Sequence, residues 1–393
     1  MSRKILIAGG GIGGLAAAMA CSQAGWPVQL LERAGAFTEV GAGIQMGPNV
    51  VRVLYGWGLG QELSRVAAFP AVLRVRDAAS GAELGRLRLG ERARALYGAP
   101  YATIHRADLH QVLLKALRPR TDVQLLLDQW VENLVQEPDA VRVQTLGGLE
   151  LQGDALVGAD GLWSHVRQLV LGDAPPRVTG HLAYRAMVPQ RDVPERLRSQ
   201  DVTVWLGPGL HVVQYPVRRG EWLNVVGIVE GRINGNEEEW DHATHAEDLR
   251  AAMAHTCAPL KDLVGAIDLW RLWALCDRAP MRGAHEQVRG RVALLGDAAH
   301  PMRPYMAQGA GMAIEDAACL QQVLAGPERP LEQRLQLYAQ QRWQRNARVQ
   351  ARSIRNGEIF HASGLVRWGR DLSMRLLGER LLDVPWLYRG PTA

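Results

Sequence analysis

The chain has 393 residues, 47% of them hydrophobic and 22% charged, which is the composition of an ordinary soluble globular protein. Its formal net charge is +5, but no block of consecutive basic residues occurs, so we expect no nucleic-acid partner. No apolar run has the length of a membrane span, and no cleavable leader precedes the first predicted strand. Four cysteines without ligand-like spacing (Cys21, Cys257, Cys276 and Cys319) predict reduced thiols and no metal site. We therefore expect a cytoplasmic protein without stable membrane insertion.

The first thirty-three residues form the clearest pattern in the chain. Residues 4–8 are a short apolar run of the kind that forms a buried parallel strand. The glycine-rich stretch 9–14 follows, and residues 15–24 then predict an alanine-rich helix. A second apolar strand, 28–31, is closed by Glu32. Strand, glycine turn, helix, strand and acid together indicate a dinucleotide-binding βαβ unit.

Each glycine of this Gly-x-Gly-x-x-Gly pattern has a separate task. Gly9 permits the tight turn, Gly11 lets the backbone approach a pyrophosphate, and Gly14 lets helix and strand pack closely. The start of the helix offers free N–H groups to the phosphates. Glu32 lies at the distance downstream where an acid accepts a hydrogen bond from a ribose hydroxyl. The pattern predicts a dinucleotide without deciding which one.

The rest of the chain alternates between strand-like and helix-like texture. The predicted helices are 50–55, 104–117, 164–171 (with Ser164 as its cap), 249–256, one beginning near 309–312, and 331–359. The predicted strands are two within 72–89, then 123–127, 140–145, 156–158, 183–188, 202–206, 211–217, 223–229 and 291–295. The glycine-rich stretch 40–48 predicts a loop that approaches another group closely, and 234–248 predicts a polar bridge.

Three strand ends carry turn residues: Gly9 to Gly14, Asp160-Gly161 and Gly296-Asp297. Ligands of doubly wound sheets bind beyond the carboxyl ends of the strands, where a carboxylate can accept hydrogen bonds from ribose or ribitol hydroxyls. A mobile nicotinamide nucleotide does not need a third anchor late in the chain, whereas a permanently held flavin nucleotide does. This argues against an NAD-dependent dehydrogenase that uses only the first motif.

The motifs GGGIGG…LLER, HRADLH, GADGLWSHVR and LLGDAAHPMRPYMAQGAGMAIEDA resemble those of the flavin-dependent aromatic monooxygenases of the p-hydroxybenzoate hydroxylase type. The segments VGAGIQMGPNVVRVL, YATIHRADLH and HVVQYPVRRGEWLN are most similar to 3-hydroxybenzoate 6-hydroxylases and salicylate hydroxylases. Similarity to 6-hydroxynicotinate 3-monooxygenase is nearly as good. The resemblance spans almost the whole chain.

The resemblance implies an α/β fold: a Rossmann-like FAD-binding domain, an inserted β-sheet substrate domain and C-terminal helices. The implied boundaries are 1–70, 100–175 and 280–345 for the discontinuous FAD-binding domain, 71–99 and 176–279 for the substrate domain, and 346–393 for the helical tail. A homodimer is also possible for such a chain.

The resemblance also implies the cofactor site, with FAD held tightly and NADH or NADPH and O₂ as transient co-substrates. Asp297 would bond the ribitol, Asp160 would serve FAD and pyridine-nucleotide binding, and backbone N–H groups at the start of the late helix would stabilise the reduced flavin. The cofactor-binding residues that follow from it are Gly9, Gly11, Gly14, Glu32, Arg33, Gly43, Arg106, Asp160, Asp297, Gln308, Gly309, Ala310 and Gly311.

On the substrate side, His211, Val213 and Tyr215 share one face of a predicted strand. Taken alone they could be core residues; the resemblance implies that they line the aromatic substrate together with Gln45 and Pro304. His211, with a pKa near neutrality, would accept or relay the phenol proton, Tyr215 would hold the phenolate, and Pro304 would lie beside the substrate hydroxyl.

For a substrate carboxylate the candidate cations are Arg74, Arg185 and Arg303, among which the sequence does not choose. Gln45 replaces the histidine of the hydroxynicotinate enzymes, and Pro304 replaces the glutamine of some 3-hydroxybenzoate 6-hydroxylases. The resemblance therefore implies hydroxylation of a small phenolic acid, salicylate slightly before 3-hydroxybenzoate, through a flavin C4a-hydroperoxide. The alternatives are a hydroxypyridine monooxygenase and an aromatic-binding flavoprotein without turnover.

Overall fold

The protein was analysed as a computed structural model, which describes residues 3–38, 41–231, 242–243 and 246–391. The predicted loop residue Val40 and most of the predicted polar bridge 234–248 lie outside the described residues.

Most of the strands predicted from the sequence are present in the structure. Among the described residues they are β1 (Ile5–Ala8), β2 (Val28–Leu31), β3 (Gly43–Met46), β4 (Val72–Asp77), β5 (Glu83–Arg88), β6 (Ala102–His105), β7 (Val123–Leu126), β8 (Val131–Gln136), β9 (Val141–Thr145), β10 (Glu150–Gly153), β11 (Ala155–Gly158), β12 (Arg177–Pro189), β13 (Val202–Gly207), β14 (Leu210–Val217), β15 (Trp222–Glu230), β16 (His242–Ala243), β17 (Arg271–Asp277), β18 (Val288–Arg289) and β19 (Val292–Leu294).

The predicted helices are present, with two differences in their bounds. The helix predicted at 249–256 is Ala246–Ala252, and residues 104–105 of the helix predicted at 104–117 belong to strand β6. In the same described ranges the helices are α1 (Ile12–Gln23), α2 (Pro48–Gly56), α3 (Gly60–Val66), α4 (Gly90–Tyr97), α5 (Arg106–Leu117), α6 (His165–Leu171), α7 (Ala246–Ala252), α8 (Ala258–Gly265), α9 (Gly309–Ala325), α10 (Leu331–Phe360), α11 (Gly364–Leu377), α12 (Glu379–Leu382) and α13 (Pro385–Tyr388). The predicted cap of α6 is confirmed, because the Ser164 side chain accepts a hydrogen bond from the N–H of Arg167.

The chain divides into two compact units, of which the first comprises Met1–Val40, Ala107–Arg177 and Asp277–Ser353. Its main sheet has the strand order β18-β19-β11-β1-β2-β7. Strand β1 pairs in parallel with β11 and β2, and β11 pairs in parallel with β19. Because parallel strands have their carboxyl ends at one edge, the turns after β1, β11 and β19 lie side by side. These are the three turns that the sequence predicts to bind a dinucleotide.

The second unit comprises Gly41–Arg106, Val178–Cys276 and Ile354–Ala393. Its large sheet has the order β16-β17-β12-β15-β14-β13-β4-β5, and β3 pairs with β6 in a separate two-stranded sheet. One face of the large sheet packs into a hydrophobic core that contains Val212 and Val225. Side chains alternate along a strand, so His211, Val213 and Tyr215 point to the opposite face.

The compact units divide the chain differently from the predicted domains in three places. Residues 41–70 belong to the second unit, and so does the chain from Ile354 onward; the short stretch 100–106, predicted in the FAD-binding domain, belongs to the second unit as well. The reason for the first difference is that the predicted glycine-rich loop contains strand β3, and Gly43 at its start is hydrogen-bonded to residues of the large sheet. The second follows from α11, whose Met374 packs with Val75 in the core of this unit.

The combination of a parallel nucleotide-binding sheet, a second sheet and C-terminal helices confirms the predicted α/β fold class. Within the described residues, no helix has both the length and the apolar character needed to cross a membrane. The cytoplasmic location stays a prediction.

Candidate active site

The glycine turn after β1 has no room for side chains. Gly9 has a φ of +103°, and a Cβ added there would lie 2.4 Å from the carbonyl oxygen of Ala159. A Cβ on Gly14 would lie 1.8 Å from the carbonyl oxygen of Gly9. No side chain fits at either distance, so both positions need glycine for the strand, turn and helix to pack this closely. This is the arrangement that lets backbone N–H groups reach a pyrophosphate.

A cleft of about 260 Å³ opens beside this turn. Its lining includes Glu32, Arg33, Trp130 and Asp160 together with the first glycines of the turn. Glu32 is half-buried, and its carboxylate accepts hydrogen bonds from the N–H of Gly10 at 2.6 Å and of Ala34 at 2.8 Å. The acid predicted to bind a ribose thus also fixes the glycine turn, and the cleft can take the adenosine end of a dinucleotide.

His110 is a residue of this site that the sequence reasoning missed. It lies on α5, is 1% exposed, and its Nε2 is 2.8 Å from the carbonyl oxygen of Gly10. A histidine N–H that donates to this carbonyl holds the turn from the side opposite Glu32. The only signal in the sequence was its place in the motif HRADLH.

Asp160, in the turn after β11, is engaged within its own motif. Its carboxylate accepts hydrogen bonds from the Ser164 hydroxyl at 2.5 Å and from the N–H of Val166 at 3.0 Å. Burial raises the pKa of Asp160, and these hydrogen bonds lower it only in part. The structure therefore shows Asp160 ordering the start of α6, while its role in nucleotide binding stays a prediction.

The third turn carries Asp297 and is held from two sides. Arg167, on α6, is buried and donates a hydrogen bond to the carbonyl oxygen of Ala299 at 2.6 Å. Asp316, on α9, accepts a hydrogen bond from the N–H of Gly296 at 3.2 Å. Both residues lie in motifs that the sequence singles out, but neither had an assigned role. They position the turn whose carboxylate is predicted to bind the ribitol.

A buried network of charges lies behind this turn. The Asp316 carboxylate contacts His300 Nε2 at 2.5 Å, Arg342 Nε at 2.7 Å and Asn346 Nδ2 at 3.0 Å. Arg342 also donates to Glu315 at 2.9 Å, and these residues are fully buried. Burial alone would raise the pKa of Asp316, but the charges of His300 and Arg342 hold it well below its usual range.

The start of α9 lies next to the Asp297 turn. Gln308 precedes the helix and is 3% exposed, and a Cβ on Gly309 would lie 3.8 Å from Asp297 Oδ1. The predicted group Gln308, Gly309, Ala310 and Gly311 is thus brought beside Asp297. The N-terminus of this 17-residue helix offers free N–H groups and the positive end of the helix dipole. Pro304 lies in the same unit, in the short turn Pro304–Met306.

In the second unit, the wall predicted to face the substrate is ordered by hydrogen bonds to β3. The Tyr215 hydroxyl donates to the carbonyl oxygen of Gly43 at 2.6 Å, and the N–H of Gly43 donates to Asn224 Oδ1 at 2.6 Å. A Cβ on Gly43 would lie 2.7 Å from the Tyr215 ring, so this position requires glycine. On the same strand, Gln45 accepts a hydrogen bond from the Tyr101 hydroxyl at 2.7 Å. Gly43, which the resemblance assigned to the cofactor, is thus held against Tyr215. That Gln45 and Tyr215 line the substrate stays a prediction.

His211 lies on the same face but in a different environment from the predicted one. It is 2% exposed, and its Nδ1 is 2.8 Å from Nε2 of His361. Burial, and then the neighbouring His361 and His181, lower the pKa of His211 well below its ordinary value. Its surroundings therefore do not give the near-neutral pKa expected from the sequence. The lowered pKa favours the neutral imidazole, and the catalytic role of His211 stays a prediction.

Arg185 stands out among the three candidate cations for a carboxylate. It lies on β12, and its register partner Val226 also pairs with Val213, so Arg185 shares the face of His211. Its guanidinium lies over the ring of Trp273, 4.7 Å from the centroid. Among the described residues its buried Nε has no hydrogen-bond partner. Burial lowers the pKa of Arg185, the charge of Arg106 acts in the same direction, and Tyr215 acts in the opposite one.

The other two candidates already have acidic partners. Arg74 forms ion pairs with Glu83 at 3.2 Å and Asp201 at 3.0 Å. Arg303 forms one with Asp277 at 2.7 Å. Arg106, predicted to bind the cofactor, begins α5 and donates its backbone N–H to Ala42. Of the three candidates, only Arg185 combines a position on the predicted substrate face with the lack of an acidic partner among the described residues.

The parallel sheet, the closed glycine turn and the three adjacent turn sites define a protein that binds a dinucleotide in an extended form. Comparison with known proteins identifies this dinucleotide. A family model for an FAD-binding domain matches residues 2–353, and the chain belongs to this family.

Among curated relatives, the 3-hydroxybenzoate 6-hydroxylase of Polaromonas naphthalenivorans (strain CJ2) is 39% identical over 387 residues, covering 98% of this chain and 95% of that protein. The 6-hydroxynicotinate 3-monooxygenase of Bordetella bronchiseptica is 37% identical over 322 residues, covering 81% and 82%. A solved salicylate hydroxylase substrate complex is 25% identical with a TM-score of 0.82, covering 98% and 95%.

These findings confirm the family predicted from the motifs: the chain is an FAD-dependent aromatic hydroxylase. The residues present fit FAD, because the glycine turn, the Glu32 cleft and the Asp297 turn provide in one unit the three anchors that a long dinucleotide needs. The individual contacts to FAD stay predictions, and so do the substrate contacts.

Proposed function

We propose that this hydroxylase acts on a monohydroxybenzoate, with 3-hydroxybenzoate as the first candidate, and uses NADH or NADPH and O₂. The observation that carries the proposal is Arg185, a guanidinium on the face of His211 and Tyr215 whose Nε is buried without a partner among the described residues. An unpaired buried cation is costly, and a substrate carboxylate would supply the missing charge. The name of the 39% identical relative supports 3-hydroxybenzoate as the substrate. The sequence alone slightly favours salicylate.

FAD, when bound, supplies the redox chemistry: it accepts a hydride from the nicotinamide nucleotide and activates O₂ for transfer of one oxygen atom to the ring. The protein must then hold the ring in one orientation. Arg185 would bind the carboxylate in a charge-assisted hydrogen bond. The Tyr215 hydroxyl donates its hydrogen bond to the carbonyl oxygen of Gly43. Its own oxygen therefore remains available to accept a hydrogen bond from the phenol hydroxyl.

His211 would act as a neutral partner in this arrangement. Because its pKa lies well below its ordinary value, it does not carry a charge that would pair with a phenolate at neutral pH. A neutral imidazole can accept a hydrogen bond from the phenol hydroxyl, whereas its lowered pKa makes it a weak base for full removal of the proton. This hydrogen bond shifts electron density from the O–H bond into the ring. The ring carbon therefore becomes a better nucleophile.

The experiment that tests this function is a substrate panel with the purified, FAD-loaded enzyme. NADH consumption and hydroxylated product are measured in parallel for 3-hydroxybenzoate, salicylate and 6-hydroxynicotinate. We expect 3-hydroxybenzoate to yield gentisate with NADH and product in nearly equal amounts. Turnover of 6-hydroxynicotinate with both benzoates refused would refute the proposal, and catechol from salicylate alone would replace its first candidate.

The role of Arg185 is tested with Arg185→Met and, as a matched control on the same sheet, Arg74→Met. Loss of a charge-assisted hydrogen bond costs about 1.5–3 kcal/mol, so KM for the benzoate should rise about 10–150-fold in Arg185→Met. The control should keep its KM because Arg74 is already paired with two acids. With 3-hydroxybenzamide, which has no carboxylate, the two variants should behave alike. An unchanged KM in Arg185→Met would show that this arginine does not bind the substrate.

A further inference from the structure

Three potential metal ligands lie together in the second unit, and the proposed hydroxylation uses none of them. His181 and Glu230 are directly opposite each other on the antiparallel strands β12 and β15, so their side chains share one face of the sheet. His361 follows the last residue of α10 and is fixed there, because its carbonyl oxygen accepts a hydrogen bond from the N–H of Gly209 at 3.0 Å. A strand pair and the end of a long helix thus position the three groups independently.

The spacing of the donor atoms is close to that of a metal site. One donor atom from each residue lies within 4.8 Å of the other two. His361 Nδ1 is 3.5 Å from Glu230 Oε1, and the imidazole centroids of His181 and His361 are 4.9 Å apart. Metal–ligand bonds of about 2.0–2.1 Å at tetrahedral angles place neighbouring donor atoms about 3.3 Å apart. The His361–Glu230 pair meets this value within a few tenths of an ångström. The ring of His181 is stacked on that of His361, so the less buried His181 side chain would have to rotate when a metal binds.

The chemistry of the donor set selects the kind of ion. Two imidazole nitrogens and one carboxylate oxygen suit zinc and similar first-row divalent cations, not calcium or magnesium, which prefer oxygen ligands alone. His361 also has the outer partner that metal-ligating histidines need: its Nε2 is 2.8 Å from Nδ1 of the buried His211. This contact orients the ring so that Nδ1 faces Glu230.

We propose that His181, Glu230 and His361 bind one zinc-class divalent cation, with water in the remaining coordination position. The prediction of no metal site rested on the spacing of the cysteines and could not detect this site. Its ligands come from three elements far apart in the sequence, and only the register of β12 with β15 brings the first two together.

The test uses the full-length, FAD-loaded and tag-free enzyme after dialysis against a chelator. Zinc chloride is titrated by calorimetry, and bound zinc is counted by mass spectrometry after equilibrium dialysis. We expect one zinc per chain. Glu230→Gln and His181→Gln replace residues that are not fully buried, so these variants should fold normally. Each variant should weaken zinc binding by at least about tenfold. Removal of a residue that only hydrogen-bonds a metal ligand already costs about that much affinity, so loss of a ligand itself should cost no less.

His285→Gln is the matched control, because His285 is an exposed histidine 3.9 Å from an acid, Glu286, and the part of the chain that the structure describes brings no third ligand to this pair. It should keep the wild-type affinity. Flavin absorbance and the midpoint of thermal unfolding show that each variant is folded. Absence of stoichiometric zinc in the wild type, or equal affinity in all the variants, would overturn the proposal. Binding is measured without substrate or NADH, so a failure of the proposed hydroxylation would not be mistaken for a failure of this site.

Discussion

The buried charge network behind the Asp297 turn gives a prediction whose size follows from its contacts. Asp316 accepts hydrogen bonds from four donors: the N–H of Gly296, His300, Arg342 and Asn346. The change Asp316→Asn keeps the shape but turns one acceptor oxygen into an NH₂ group, which then faces two donors. Two unsatisfied buried donors cost about 2–6 kcal/mol, and breaking a buried ion pair costs about 3–5 kcal/mol. We therefore expect a loss of about 3–5 kcal/mol in the free energy of unfolding.

The assay is thermal unfolding of the FAD-loaded enzyme, followed by tryptophan and flavin fluorescence. For a unit of 150–250 residues, each kcal/mol lowers the midpoint by about 2–4 °C, so Asp316→Asn should unfold about 6–20 °C below the wild type. The control is Glu137→Gln, which removes an exposed ion pair with Arg142 and should change stability by less than about 0.5 kcal/mol. FAD should also dissociate faster at 25 °C, because the variant no longer holds the N–H of Gly296.

The pH dependence gives a second measurement of the same carboxylate. Its pKa in the folded protein lies well below the value of about 3.9 expected in the unfolded chain. The stabilisation is therefore complete above about pH 4 and is lost as the pH falls from there toward the folded pKa. The gap between the wild-type and Asp316→Asn midpoints should narrow in that range. A variant midpoint within about 2 °C of the wild type at pH 7 would refute the reasoning.

Three further predictions concern single groups. Tyr215→Phe leaves the carbonyl of Gly43 without its donor, so it should cost about 1–3 kcal/mol of stability, and part of the NADH should be consumed in reducing O₂ to hydrogen peroxide; equal amounts of NADH consumed and product formed would show that Tyr215 does not contact the substrate. Gly14→Ala places a Cβ 1.8 Å from a carbonyl oxygen and should yield protein without flavin, whereas Gly56→Ala, with open space around it, should keep its flavin; a yellow Gly14→Ala protein would contradict the close packing. Burial raises the pKa of Cys21 to about 12, so iodoacetamide at pH 8 should leave it unmodified until the protein unfolds; peptide mapping that finds it alkylated in the native protein would disprove this.

The sequence predicts those parts of the fold that depend on neighbouring residues. Apolar runs, glycine turns and the cap at Ser164 are local signals, and the corresponding strands and helices are present. Strand β3 was predicted as a loop because three of its four residues are not typical of strands, and its pairing partner β6 lies about sixty residues away. Pairing at that distance overrides local preference.

The sequence likewise predicts only those parts of the candidate site that depend on neighbouring residues. The glycine turn could be located because its chemistry lies in the backbone of six consecutive residues. The roles of Arg167 and Asp316 could not, because each acts on a turn more than ten residues away along the chain. The proposed choice among the three arginines also needed tertiary contacts, because the fold brings acidic partners to Arg74 and Arg303.

Under the proposed function, the lack of an acidic partner for Arg185 would also let the enzyme distinguish a benzoate from a neutral phenol. The ring of Trp273 compensates its charge in part, since an arginine over an aromatic face gains about 0.5–2 kcal/mol, less than a charged partner provides. A neutral phenol would leave the rest of the Arg185 charge without a partner, whereas the carboxylate of a benzoate would pair with it on binding. Under the proposed function, the preference for an anionic ring would come mainly from the cost of leaving Arg185 unpaired and only secondarily from attraction to the net charge of +5. Because attraction to a net charge is screened by salt and a desolvated ion pair is screened much less, the preference for 3-hydroxybenzoate over 3-hydroxybenzamide should persist at 1 M ionic strength.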